Sequence, residues 1–283
     1  MESVLFKISL AANAGALACS LVYLFGRVSW AGTLWKVLLG LGTLLHLASF
    51  VVRTHSFWLL YAENQCFLPI NTFFGAISYL AFITNLLCFL FAVRYGINVL
   101  GVFVLPLSVM AQASAWIWAD PALSGLVPAL RSYWINIHPM VLMSCYGAFA
   151  NAFGISAAFL IQDRQLKSRR PQEMTWQIPS LEILDSLSCR VIFMTLPLLT
   201  IGIVMGGIWA WGAWGRFWGW DAKETWALIT WMIYSVYLYL RLGRGWSGRQ
   251  AVWVNFCGFT SVLFTFFIVS FFSHLHGYLS GAN

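Results

Sequence analysis

Eight long apolar stretches constrain the fold of this chain more than any other feature. Each has close to the ~20 residues that a helix needs to cross the hydrocarbon core of a bilayer. Because lipid offers no hydrogen-bond partners to backbone N–H and C=O groups, such stretches form helices. We therefore predict an all-α, polytopic membrane helical bundle that forms a single domain over residues 1–283, with spans at 4–25, 31–52, 71–93, 95–114, 134–161, 191–211, 223–240 and 251–272.

The composition excludes soluble proteins. Hydrophobic residues make up 60% of the chain and charged residues 9%, whereas about a quarter of a typical soluble domain is charged. The net charge of +7 comes from short basic clusters between apolar stretches, and no nucleic-acid-binding motif accompanies them. We expect the chain to contact a lipid membrane and no nucleic acid.

The basic residues also predict an orientation. Most of the 16 Lys and Arg fall on one side of the predicted spans, above all in the polar stretch 162–190. Loops rich in Lys and Arg stay in the cytoplasm. We therefore predict that 162–190 is a cytoplasmic basic loop and that both termini lie outside, on the same face as the loop 206–226.

The histidines gather toward the predicted outer face. His138 starts the fifth span, His274 and His276 follow the eighth, His46 lies within the second span, and His55 falls in an outer loop. An interfacial histidine can simply sit among lipid headgroups. Two histidines from distant spans favour metal ligation instead, because neutral imidazole is a common ligand and a metal held by a planar macrocycle needs only axial ligands.

Tryptophan is concentrated in residues 206–226, where it alternates with glycine. An aromatic belt at the membrane interface explains some of these residues. Glycine lets the backbone approach closely, and indole offers a large flat apolar face. The pattern favours a platform for a large, flat, apolar ligand, built from Trp209, Trp211, Trp214, Trp218, Trp220 and Trp226.

Charged residues flank this segment. Asp221 precedes an apolar run and Glu224 follows three residues later, which is the capping-box pattern of a helix start. We assign Asp221 a structural role first and ligand contact second. Arg131 and Arg216 are candidate partners for carboxylates of a ligand, and headgroup contact is the alternative for each.

These residues carry a family resemblance. The stretch WGAWGRFWGWDAKETWALITW resembles the tryptophan-rich WWD signature of the haem-handling cytochrome c assembly proteins, and most of all their CcsA (ResC) branch. The segment 128–161 resembles the family's first external-histidine region, which places that histidine on His138. LHGY resembles the second and places it on His276, with the adjacent His274 as the alternative candidate. HLASFVVR places an intramembrane histidine on His46. Tyr239 stands where the family commonly has another histidine.

The resemblance implies a subunit of the System II cytochrome c synthetase, a haem lyase type of enzyme. It would lie in a bacterial inner membrane or a thylakoid-type membrane, with its haem site on the outer, periplasmic or lumenal side. Its partners would be apocytochrome c, whose CxxCH thiols receive the haem, and a CcsB (ResB)-like membrane protein with an outer domain. Haem b, bound as substrate, would have His138 and His276 as axial iron ligands and would contact Trp209, Trp214, Trp218, Trp220, Asp221, His46, Arg131 and Arg216.

Three alternatives remain. A haem-binding membrane regulator or haem exporter of the same fold would lack ligation activity. A non-haem transporter would need polar residues along several spans, but the predicted span interiors are nearly uncharged. A quinone-binding redox subunit would share the aromatic residues and the histidines.

Overall fold

A computed structural model describes residues 1–26, 28–61, 68–123, 134–168 and 177–269. Within these ranges it contains eight α-helices and no strand, which confirms the predicted all-α fold. Two π-helical segments, Tyr239–Gly243 and Phe264–Val269, continue the last two helices. The α-helices are α1 (Glu2–Gly26), α2 (Ser29–Leu60), α3 (Phe73–Tyr95), α4 (Leu100–Trp118), α5 (Trp134–Lys167), α6 (Leu181–Trp214), α7 (Ala222–Leu238) and α8 (Arg249–Leu263).

The helices have the lengths that a membrane protein requires. Seven candidate membrane spans lie among the described residues: the six helices α1 to α6, and α8 together with its π-helical continuation to Ile268. The helix α7 has 17 residues and runs directly into the π-helical segment Tyr239–Gly243, so the two together approach the usual length of a span. The chain is an integral membrane protein.

The helix α2 is longer than its hydropathy predicts. The predicted span ended at residue 52, but the helix continues to Leu60 because its polar side chains find partners. Arg53 pairs with Glu2, and the Thr54 hydroxyl donates to the Phe50 carbonyl at 2.8 Å. His55 therefore lies on this helix, and its predicted place in a loop is wrong.

The stretch 162–190 is also more helical than predicted. The helix α5 continues to Lys167, and α6 begins at Leu181 after Ser180, whose side chain caps the helix by accepting from the Ile183 N–H. Only 168–180 separates the two helices. Hydropathy marks where a chain leaves the apolar layer, and a capped helix can extend well past that point.

Consecutive helices pack against each other in opposite directions, and α5 is the central helix. It contacts α3, α4, α6 and α8. Near its middle the Phe149 ring stacks on the Tyr234 ring of α7, with centroids 3.8 Å apart. The N-terminal end of α5 and the end of α6 therefore lie at the same end of the bundle, which we call the His138 end.

Buried hydrogen bonds join the last four helices. The Asn255 amide on α8 donates to Ser156 on α5 at 2.9 Å, and the Ser156 and Ser188 hydroxyls lie 3.0 Å apart. The Tyr234 hydroxyl donates to the Asn255 side-chain oxygen at 3.3 Å. Such interhelical bonds stabilise membrane bundles because an unpaired polar group is costly in lipid.

Ion pairs close the opposite end of the bundle. Asp163 on α5 pairs with Arg249 on α8 at 2.5 Å. Asp185 on α6 pairs with Arg241 and also accepts the Gly248 N–H at 3.0 Å. These contacts join the ends of the four helices α5 to α8 and neutralise part of the basic charge that the sequence places there.

We expect Asn255→Ala to lower the free energy of unfolding by about 1–2 kcal/mol, because Ser156 and Tyr234 each lose a buried partner. Thermal unfolding of the purified protein in detergent measures the change. Thr260→Ala on the same helix is the matched control, since the Thr260 hydroxyl donates to the Phe256 carbonyl of its own helix at 2.9 Å. Equal melting temperatures for the two variants would contradict a stabilising role for the network.

Candidate haem site at one end of the bundle

His138 lies near the start of α5 and faces α6. Its Nδ1 atom is 2.8 Å from the Gly202 carbonyl oxygen. A carbonyl can only accept, so Nδ1 carries the proton and donates, and in the neutral ring Nε2 then carries the lone pair. A histidine whose second nitrogen is oriented by a backbone carbonyl is the usual arrangement of a metal-ligating imidazole.

Two glycines of α6 make this contact possible. A Cβ on Gly206 would come within 2.5 Å of the His138 Cε1 atom, and a Cβ on Gly202 would come within 2.7 Å of Leu142 on α5. The two positions are four residues apart and share one helix face. Sequence analysis missed their role, although the pair Gly206 and Gly207 is visible in the sequence.

After α6 the chain folds back over the end of this helix, beside His138. The helix ends at Gly215, which adopts a left-handed conformation and donates its N–H to the Trp211 carbonyl. The Phe217 ring then lies against Gly207, where a Cβ would come within 2.5 Å of it. The non-helical part of the predicted loop 206–226 is therefore only 215–221, and it lies beside the seat of His138.

The tryptophans at this end form perpendicular pairs. Trp209 and Trp214 have ring centroids 6.2 Å apart and planes at 86°, and Trp218 and Trp220 lie 5.8 Å apart, also at 86°. Trp209 is buried at 5% exposure, whereas Trp220 is 70% exposed. The two rings of each pair are therefore perpendicular to each other, and the platform for a large, flat ligand stays a prediction.

The start of α7 fixes this short loop. Glu224 accepts the N–H groups of Gly219 at 2.8 Å and of Asp221 at 3.3 Å, while Asp221 accepts the Lys223 N–H at 3.2 Å. This is a complete capping box, so the structural role predicted for Asp221 is confirmed. Trp220 immediately before it has a φ of 56°, a conformation that is costly for a bulky side chain.

Of the other predicted haem contacts at this end, the structure describes only Arg216. Arg216 is exposed on the loop, and its guanidinium lies against Gly219. Arg131, His274 and His276 lie outside the described residues, so the pairing of His138 with His276 stays a prediction.

His46 is a second candidate ligand and is buried inside the bundle. It is 1% exposed, and its Nε2 atom lies 2.8 Å from the Ser78 hydroxyl of α3. The rings of Phe6 and Phe82 approach it edge-on at 5.4 Å and 5.8 Å. Its Nδ1 atom has no hydrogen-bond partner among the described residues, so one nitrogen of this buried ring is left for a ligand. Tyr239 is 63% exposed at the end of α7.

Comparison with known proteins identifies relatives of the chain. The family described as cytochrome C assembly protein matches residues 41–276. The cytochrome c biogenesis protein CcsA of Chlamydomonas reinhardtii is 32% identical over 250 residues, which cover 86% of this chain and 67% of that protein. CcsA of Gloeobacter violaceus is 34% identical over 239 residues, covering 65% of this chain and 71% of that protein. CcsA of a Synechococcus species is 43% identical over 154 residues, covering 47% and 51%.

A solved structure shares the fold. The chain named cytochrome c heme lyase CcmF superposes with a TM-score of 0.71 over 95% of this chain, at 16% sequence identity. The match covers 46% of that longer protein, so this chain spans about half its length. At this identity the likeness shows that the helices are arranged alike.

We expect Glu224→Ala to lower the free energy of unfolding by about 1–2 kcal/mol, because two backbone N–H groups lose their acceptor. A double-mutant cycle with Asp221→Ala measures the coupling, and the two losses should not add, since both residues belong to one cap. Glu182→Ala, in the first turn of α6, is the control for removing an acidic residue from a helix start. Fully additive losses would mean that the two side chains act independently.

Proposed function

Because this chain belongs to the cytochrome c assembly protein family and is of the CcsA type, which gives it a role in cytochrome c biogenesis, we propose that it presents haem for covalent attachment to apocytochrome c. Haem b is the substrate and binds at the His138 end, with His138 and His276 as axial ligands. The Nδ1–H bond from His138 to the Gly202 carbonyl carries this proposal. That bond leaves the lone pair on Nε2, which is the form that iron requires.

The tryptophan pairs give the ring system its apolar surroundings. Indoles at the loop and at the end of α6 offer both faces and edges to a macrocycle, and a face and an edge are the two favoured aromatic contacts. Trp220 is exposed and held in a left-handed conformation by the cap that follows it. Strained backbone conformations of this kind are found at ligand sites, and here the left-handed conformation leaves the indole exposed.

Arg216 lies in this loop, is exposed and would pair with a haem propionate. Arg131, from the segment before α5, is proposed to do the same. With the carboxylates held at one edge, the vinyl edge is left for the protein substrate. The contribution of this chain to the reaction is then chiefly positioning, which can lower a barrier by several kcal/mol.

The attachment itself joins each CxxCH cysteine to a vinyl group. The S–H bond and the π bond of the vinyl group break. The sulfur keeps the S–H electron pair and forms a C–S bond to one vinyl carbon, while the proton forms a C–H bond at the other carbon with the π electrons, so the sum is redox-neutral. The histidine of CxxCH replaces one of the two axial imidazoles, which couples release to completed attachment. Catalysis is proposed to need a CcsB-like membrane partner with an outer domain, in a bacterial inner membrane or a thylakoid-type membrane.

In a His46→Ala background, replacing His138 and His276 together by Ala should abolish the Soret band of the purified protein, because none of the proposed axial ligands remains. The background removes any haem held inside the bundle. His55→Ala is the matched control, since His55 is an exposed histidine on α2. An unchanged Soret band in the combined variant would refute the ligand assignment.

A maturation assay in cells distinguishes covalent attachment of haem from haem binding alone. The chain and its partner, produced in a strain that lacks cytochrome c assembly, should yield cytochrome c with covalent haem. The combined His138 and His276 variant should yield none. A wild-type chain that binds haem but never supports maturation would instead be the regulator or exporter of the same fold.

Gly206→Ala tests whether the packing of His138 against α6 is needed for haem binding, and it leaves the histidine itself in place. The added methyl group would sit 2.5 Å from Cε1, so the imidazole must shift and its bond to Gly202 weakens. Loss of such an orienting contact typically lowers metal-site affinity about 10–100-fold, measured by haem titration. Gly212→Ala is the control because nothing lies within 4 Å of a Cβ there, and equal affinities for the two variants would contradict the proposed seat.

A further inference from the structure

Two exposed cations meet on one buried carboxylate at the end of the bundle opposite the His138 end. The side chain of Asp163 on α5 is only 9% exposed. It accepts from the Lys167 ammonium at 3.0 Å and from the Nε atom of Arg249 on α8 at 2.5 Å. The side chains of Lys167 and Arg249 are 62% and 54% exposed. One buried acid therefore holds two cations side by side at the surface, and the group keeps a net positive charge.

The way in which Asp163 binds Arg249 leaves part of the guanidinium available. Only the Nε atom donates to the carboxylate, and neither Nη group has a hydrogen-bond partner among the described residues. A guanidinium is a planar fork whose N–H groups match the oxygens of a phosphate. Because one edge is held and over half of the side chain is exposed, the two Nη groups face the surroundings in a fixed orientation.

A second ion pair at the same end shows the opposite arrangement. Arg241 pairs with Asp185, and its Nη1 atom also donates to the Trp246 carbonyl at 2.9 Å. The Arg241 side chain is only 14% exposed. This pair is used within the protein and serves to join helices, whereas Arg249 keeps donors at the surface.

The helix α8 continues from Arg249 with one exposed face. Trp253, Cys257 and Thr260 are exposed and follow at intervals of three or four residues, which places them on one side of the helix. Trp253 is 59% exposed, and its ring lies edge-on to Phe256 at 5.6 Å. Since α8 and its continuation form a candidate span, this face meets lipid. A tryptophan near the end of a span marks the boundary between acyl chains and headgroups.

We propose that the two cations on Asp163 bind the phosphate of an anionic phospholipid, whose acyl chains lie along the exposed face of α8. The Arg249 Nη groups donate to two phosphate oxygens, and Lys167 and the exposed Arg164 add positive charge. Basic pockets between the ends of spans are known to bind anionic headgroups. Trp253 lies one turn, or ~6 Å, further along α8, where the chains begin. This site needs no haem and is independent of the proposed function.

The surroundings of the cations favour an anionic lipid over other sources of phosphate. A free phosphate ion would gain only the charged contacts, which salt weakens at an exposed site. A lipid adds apolar contact between its chains and Trp253. Phosphatidylcholine has the same phosphate but also a quaternary ammonium, which Lys167 and Arg249 would repel.

The test compares two lipids with equal acyl chains on the purified full-length protein. Native mass spectrometry from a neutral detergent measures the binding of dioleoylphosphatidylglycerol and dioleoylphosphatidylcholine over a concentration series. The wild-type chain should bind phosphatidylglycerol about tenfold more tightly than phosphatidylcholine. Arg249→Gln should lower the affinity for phosphatidylglycerol about tenfold, because a charge-assisted contact is lost.

Two further variants distinguish an oriented site from general charge attraction. Arg249→Lys keeps the charge and the ion pair with Asp163, but one ammonium cannot hold the carboxylate and also offer a fork to a phosphate. It should weaken phosphatidylglycerol nearly as much as Arg249→Gln and melt close to the wild-type protein. Arg94→Gln removes an exposed arginine from the same end, in the last turn of α3, and should leave the lipid preference unchanged.

A brominated acyl chain tests where the lipid lies. Brominated phosphatidylglycerol quenches the fluorescence of nearby indoles, so the quenched fraction should be smaller in Trp253→Phe than in the wild-type chain. It should fall to a similar extent in Arg249→Gln. Equal quenching of the wild-type chain and Trp253→Phe would place the lipid away from α8 and overturn the proposal.

The binding measurements can overturn the proposal in three other ways. Equal affinities of the wild-type chain for the two lipids would do so. Undiminished binding by Arg249→Lys, or equal losses in Arg94→Gln and Arg249→Gln, would mean that the lipid responds only to total charge. Inorganic phosphate should leave phosphatidylglycerol bound; if it displaces the lipid and raises the melting temperature as much, the site binds a free oxyanion instead.

Discussion

The close approach of α5 and α6 is the contact on which the candidate site depends. Glycines at 202 and 206 leave room for an imidazole between the two helix backbones, and a backbone carbonyl then fixes the proton of that imidazole on Nδ1. Any larger side chain at either glycine would separate the helices or turn His138. Because the interior of a bundle is close-packed, this narrow gap restricts the position and orientation of the imidazole ring.

The same end of the bundle shows how a membrane protein builds a precise loop. Lipid provides no partners for an irregular backbone, so the seven residues between α6 and α7 are satisfied by their own helix ends. A left-handed Gly215 closes one helix, and the capping box of Asp221 and Glu224 opens the next. These two caps fix the backbone on either side of Trp220 and so orient its exposed indole.

Polar residues inside the bundle divide into two kinds. Asn255, Ser156 and Tyr234 bond to one another and, through Ser188 on α6, join four helices. His46 and Arg53, in contrast, keep buried polar atoms for which the described residues offer no partner. In an apolar medium such atoms are expensive, which is why they indicate a ligand and the satisfied network does not.

The sequence by itself determined the class of fold, the family and the cap at Asp221, because apolar length, a long tryptophan motif and a capping box are local patterns. It also singled out His138 and His46 as candidates. Only the tertiary structure decided that Gly202 and Gly206 leave room for His138, that the indoles of each pair stand perpendicular, and that His46 and Arg53 keep buried nitrogens for which the described residues offer no partner. These depend on which residues of separate helices meet, and helix contacts far apart in sequence leave no local signal.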